Sequence, residues 1–274
     1  MAVDGTAQRD RAQALRERYP FAAEVLDLYL ALLDARQDSW DAAQAEPPSP
    51  ARVTEWSLEH AVPRVLKATE TAGPAALAAA GRDLVESGGA PAALTGWLAG
   101  GELSPVERYL ARASAWVPLQ ALGDAAGAAC AADPSPRGDR RCPRCGGAPQ
   151  LSIRSQVDDA LVSGGRQLAC ERCGHTWSFS ASACASCGET TGSKRTVYAE
   201  HRDGPVVGRD EGDTTLFPHL RVDACGTCQR YLIDIDLGRD PRAVPEVDEL
   251  AALPLALYAA DQGLHKITPN LMGL

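Results

Sequence analysis

Eight of the nine cysteines in this 274-residue sequence fall in four Cys-x-x-Cys pairs: Cys142/Cys145, Cys170/Cys173, Cys184/Cys187 and Cys225/Cys228. Two intervening residues let a tight turn direct both sulfurs at one point. Two such turns facing each other make a tetrahedral site for one metal ion. Glycine follows Cys145, Cys173 and Cys187, where the turn needs positive φ without a Cβ clash. The fourth pair departs, with Gly226 inside it and Gln229 after it. Sequential pairing leaves 24 residues between the first two turns and 37 between the last two, room in each case for a β-hairpin to return. An interleaved pairing stays open at this stage.

A redox dithiol would be a single pair beside a βαβ pattern, and four pairs leading into glycine turns fit that poorly. Structural metal sites and redox-active mononuclear iron sites both remain, because four thiolates satisfy zinc and iron alike. Cys130 has no close partner in sequence and reads as a small buried hydrophobe. His175 follows Cys173 closely enough to replace a thiolate, but the cysteine pairs already supply two full sites. His201, His219 and His265 are isolated, and Asp158-Asp159 and Asp234-x-Asp236 lack acid–base context. Trp177 and Phe179 alternate as a strand packed beside a metal site would. Arg137, Arg140, Arg141, Arg144 and Arg172 gather around the first two pairs, where they would balance thiolate charge. No nucleophile elbow, P-loop or dinucleotide fingerprint occurs.

The elements that position these residues divide the chain. Hydrophobic residues make up 45%, enough for ordinary cores. The net charge of −9 argues against a nucleic-acid adaptor of the zinc-ribbon type. No secretory signal or membrane-length apolar run is visible, so a cytoplasmic protein is expected, where disulfides are rare. Leu15, Tyr19, Val25, Leu26, Tyr29, Leu32 and Leu33 recur at helical spacing, with Pro20 dividing two helices. Pro74 opens a helix through about Glu86, and Ser104-Pro105-Val106-Glu107 forms a capping box for another, kinked or broken at Pro118. Strand-like runs follow at Gln150 to Gln156, Thr176 to Ser180, Thr196 to Tyr198 and Tyr231 to Ile235. A last helical stretch covers Val247 to Ala260, interrupted near Pro254.

The ordered set Cys142-Pro143-Arg144-Cys145-Gly146, Cys170-Glu171-Arg172-Cys173 with Trp177, Cys184/Cys187 and Cys225-Gly226-Thr227-Cys228-Gln229-Arg230-Tyr231-Leu232 resembles the formate dehydrogenase accessory (FdhE) family. The opening helix with Tyr19-Pro20-Phe21 and the ending around Asn270-Leu271 extend the resemblance along nearly the whole chain. It implies an α+β fold: an all-α domain (1–132), a linker (133–141), two rubredoxin-like or zinc-ribbon-type modules (142–183 and 184–240), and a C-terminal helix and tail (241–274). It also implies two metal ions on the eight paired cysteines, iron rather than zinc, and no catalytic residue. The role implied is that of a cytoplasmic assembly or maturation factor contacting the catalytic subunit of formate dehydrogenase. A rubredoxin-type one-electron carrier with a helical extension is the competing expectation.

Overall fold

The computed structural model describes residues 5–130, 138–155, 165–200, 215–271 and 273. Arg137, His201, the Asp158-Asp159 pair, Gln156 and residues 133–137 of the expected linker lie outside the described residues. The N-terminal half is helical: α1 (Thr6–Arg18), α2 (Ala23–Ala45), α3 (Val53–Trp56), α4 (Val62–Ala72), α5 (Ala75–Glu86), α6 (Ala90–Ala99), α7 (Pro105–Leu122) and the short α8 (Ala126–Ala129). A π-helical turn, Ser57–Ala61, carries the chain from α3 into α4.

The local signals act where the sequence puts them. Tyr19 ends α1 and Pro20 opens a 3₁₀ turn before α2. Ser104 Oγ accepts from the Glu107 amide while Glu107 Oε2 accepts from the Ser104 amide, at 3.4 and 2.8 Å. Pro74 caps α5 from just outside it. Of the kink or break expected at Pro118, the break does not occur: α7 continues through Pro118 to Leu122. Proline in a helix interior costs about 3 kcal/mol. Here Val117, Pro118 and Leu119 are all buried, so packing along this turn offsets the missing hydrogen bond.

The second half forms one sheet from β1 (Pro149–Arg154), β2 (Arg166–Cys170), β3 (Thr176–Phe179), β4 (Arg195–Tyr198), β5 (Leu220–Cys225), β6 (Arg230–Asp236) and the short β7 (His265–Lys266). Its order is β3-β2-β1-β6-β5-β4, with β7 also on β6. Neighbours are antiparallel except where β1 and β7 run parallel to β6. The β1–β6 pair therefore fuses two antiparallel ribbons, one per pair of Cys-x-x-Cys turns. α9 (Pro245–Ala251) and α10 (Leu253–Asp261) follow β6 and are separated at Ala252, with Pro254 in the first turn of α10.

Two cores tie the halves together. Leu151, Ile153, Val222, Ile233 and Ile235 face α1, α2, α9 and α10 in one. In the other, α2, α4, α6 and α7 pack with Leu168, Trp177, Phe179 and five of the cysteines. On the sheet face away from α9, Arg166 and Arg195 both bond to Asp223, and Arg154 and Arg221 both bond to Asp234. Asp234, read from sequence without a role, is thus a buried counter-ion in a lattice that also bonds Ser152.

Asp223→Ala should test that lattice. It strands Arg166, whose side chain is only 1% exposed, and a loss of about 3–5 kcal/mol in urea unfolding is expected.

Candidate metal centres

Each Cys-x-x-Cys sits on a turn that closes on itself. The amides of Gly146, Gly174 and Gly188 donate to the carbonyls of Cys142, Cys170 and Cys184 at 2.9, 3.1 and 2.9 Å. All three glycines have positive φ, between 65° and 81°. The fourth turn adopts the same left-handed conformation without glycine, at Gln229 with φ 53°. Amides inside the turns also reach the sulfurs: Arg172 N to Cys170 Sγ at 3.3 Å and Ser186 N to Cys184 Sγ at 3.4 Å.

The turns pair sequentially. Cys142, Cys145, Cys170 and Cys173 form one cluster and Cys184, Cys187, Cys225 and Cys228 the other, with the sulfurs of each within 4.8 Å of one another. β2 delivers Cys170 and β5 delivers Cys225, each at the last residue of its strand. Sulfurs at ~2.3 Å from a tetrahedral ion stand ~3.8 Å apart. The observed separations are 3.7 Å for Cys142–Cys173, 3.4 Å for Cys145–Cys170, 3.8 Å for Cys184–Cys228 and 3.7 Å for Cys187–Cys225. Both clusters fit a four-coordinate ion and could hold one.

The thiols within each cluster diverge in acidity. Hydrogen bonds from Cys130 first, then from Cys142, Cys170 and Cys173, hold Cys145 far below the ordinary thiol range. Burial drives Cys170 up. In the second cluster burial raises Cys225, but amides of Cys228 and Thr227 and neighbouring thiols outweigh it and bring it to about 7. Burial, ahead of its neighbours, pushes Cys228 up to about 12. Four like charges this close cannot all ionise unaided, and a central cation removes the conflict.

The two sites differ in depth. The first is buried in the helical core, with none of its sulfur-bearing residues more than 3% exposed. Gln120 of α7 donates to the Cys173 carbonyl, and Trp177 Nε1 donates to the Asp139 carbonyl at 2.7 Å. In the second, Cys184 and Cys225 are buried, Cys228 is half-buried and Cys187 is exposed. Cys130, expected only to fill space, is buried in the same core as the first cluster, where Cys145 pushes its thiol up. Nothing in its sequence surroundings signals that placement. His175 stays outside the cluster and contributes its carbonyl to the Cys170 amide at 2.9 Å. His219 is buried against Asp248 at 2.7 Å, and His265 is exposed. Of the arginines, Arg172 is buried and donates to the Cys145 carbonyl at 3.3 Å, while Arg144 pairs with Asp124 at 3.2 Å.

No family model matches the chain. Its sequence is 27% identical over 132 residues to an FdhE homolog from Aquifex aeolicus, covering 48% of this chain and 41% of that protein. It is 31% identical over 133 residues to the Pseudomonas aeruginosa FdhE homolog, covering 48% and 38%. The crystal structure of the FdhE protein from Pseudomonas aeruginosa superposes with a TM-score of 0.65, covering 97% of this chain and 94% of that one at 23% identity. The chain is similar to FdhE homologs in sequence over about half its length and to the FdhE crystal structure in fold. The sequence matches span about two-fifths of the FdhE homologs, whereas the likeness in fold to the FdhE crystal structure runs almost end to end. Among the described residues, no helix is long and apolar enough to cross a membrane.

Two substitutions separate turn geometry from sulfur packing. Gly188→Ala adds a Cβ with 3.7 Å of clearance at φ 81°, so about 1–2 kcal/mol of stability should be lost in denaturant with metal content unchanged. Gly147→Ala would set a Cβ 2.6 Å from Cys170 Sγ and should lower metal content by one ion per chain. Chelator competition should release metal in two phases, the fast one from the second cluster, and Cys187→Ser should abolish that phase alone.

Proposed function

We propose that this chain is a non-enzymatic accessory protein for the assembly or maturation of respiratory formate dehydrogenase, acting in the cytoplasm on the catalytic subunit. The observation that carries the reading is a pair of four-sulfur clusters built on one sheet and locked to a helical domain, in a chain similar to the FdhE homologs. The eight paired cysteines are the ligands we assign to two metal ions. Iron is the ion we favour from the family resemblance, with zinc the alternative; iron adds one-electron chemistry to the cross-linking that either ion supplies. The helical domain (1–132), the two modules (142–183 and 184–240) and the C-terminal segment (241–274) are the units we assign to this role.

What the chain's own residues contribute is shape. A structural ion of this kind supplies about 10 kcal/mol or more of folding energy in zinc-finger peptides. The ribbons need it, since apart from the shared cores they are short strands joined by turns. With both ions in place, the second cluster and the edge strand β4 form one rigid outer margin of the sheet. We assign the partner contact to that margin together with the helical domain.

The electron-carrier reading draws support from one feature, the exposed Cys187 at the second cluster. A visible sulfur-to-iron charge-transfer band that bleaches reversibly, in protein that fails to bind the dehydrogenase subunit, would favour it.

Anaerobic co-purification of the tagged chain with the catalytic subunit tests the proposal directly. Retention is expected for the intact chain and loss for Cys187→Ser or Cys170→Ser; failure of the intact, metal-loaded chain to retain the subunit overturns it.

A further inference from the structure

A cleft of about 440 Å³ opens in the seam between the two clusters. Its walls come from the turn leading into Cys142, the start of β1, the loop inside Cys184/Cys187, the first residue of β6 and the segment after β7. Arg140, Arg141 and Arg230 line it together with Pro149, Ala185 and Ile267. Among the described residues, no Asp or Glu does so. In a chain of net charge −9 a concave surface that gathers the guanidinium groups of Arg140 and Arg230 with no carboxylate among its described lining calls for a reason of its own.

Balancing the sulfurs is not that reason for these residues. Arg172 already serves the first cluster: burial lowers its guanidinium, and the charges of Cys130, Cys145 and Glu171 outweigh that effect. Arg144 is directed to Asp124. Arg140 instead spans the seam, donating from Nη1 to the Ser186 carbonyl at 2.7 Å. That bond holds the side chain in place and uses one of its five N–H donors, leaving others for a ligand. Arg230, at the start of β6, lines the cleft and is exposed. The volume is that of roughly 15 water molecules at ~30 Å³ each, more than a lone oxyanion fills. Pro149, Ala185 and Ile267 supply apolar surface for the remainder of the ligand.

We propose that this seam binds a small organic anion, with its phosphate or carboxylate oxygens held by Arg140 and Arg230 and its carbon body against Pro149, Ala185 and Ile267. The site depends on the two clusters only for the placing of its walls and is independent of the dehydrogenase reading.

Isothermal titration of the metal-loaded full chain with phenyl phosphate and with phthalate, at constant ionic strength, tests it. Saturable binding of one molecule per chain is expected, tighter for phenyl phosphate if the natural ligand is a phosphate and for phthalate if it is a carboxylate. Arg230→Gln and Arg140→Gln should each weaken it about tenfold with both metal ions retained, because each removes a charge-assisted contact. Arg82→Gln, which disturbs only an exposed pair with Glu70, should leave it unchanged. The Arg230 side chain makes no hydrogen bond or ion pair among the described residues, so that variant keeps the test open if Arg140→Gln misfolds. No saturable binding of either probe overturns the proposal. So does equal weakening by all three variants, or loss of metal in place of loss of binding.

Discussion

Like charges brought together by the fold are the constraint on which this molecule rests. Four sulfurs within 4.8 Å of one another cannot all be ionised in a low-dielectric setting, where a pair of unit charges ~4 Å apart repels by roughly 4 kcal/mol at an effective dielectric of 20. A cation at the centre turns that repulsion into attraction. Everything around the clusters follows from holding the sulfurs at that spacing: left-handed residues that close the turns, amides that point at sulfur, and strands that end on a ligand.

The two clusters answer this constraint in different surroundings. The first is sealed by α7 and by the aromatic strand β3, so it acts as a joint between the helical half and the sheet. The second stands at the margin, with one sulfur-bearing residue in solvent. The parallel pairing of β1 with β6 makes both parts of one body. A change at the exposed cluster therefore acts on a sheet whose other end is anchored in the helical core. That arrangement suits a protein whose task is to present a defined surface.

Charge organises the interior of the sheet as well. Asp223 on β5 serves Arg166 of β2 and Arg195 of β4, and Asp234 on β6 serves Arg154 of β1 and Arg221 of β5. Such pairs stabilise little over apolar packing but punish misregister heavily, because a one-residue slip buries an unpaired charge. They explain why β2 and β5 were invisible in the sequence. Arg166-Gln167-Leu168-Ala169-Cys170 and Leu220-Arg221-Val222-Asp223 carry charges where a half-buried strand should be apolar or solvated. The partners that make those charges tolerable lie on other strands, beyond the reach of any local pattern.

By itself the sequence determined what is local: the four turns with their glycines, the capping box at Ser104, the helix boundary at Pro20, and the strands with plain alternation such as Thr176 to Phe179. These depend on backbone sterics and on residues within a few positions of one another. Tertiary structure alone decided which turns share a site, that the two ribbons join through β1 and β6, that α7 runs on through Pro118, and that Cys130 joins the core around the first cluster. It also decided that one cluster is enclosed and the other reaches solvent. Each of these outcomes is set by contacts between segments far apart in the chain, where the favourable choice is the one that buries apolar surface and pairs charge together.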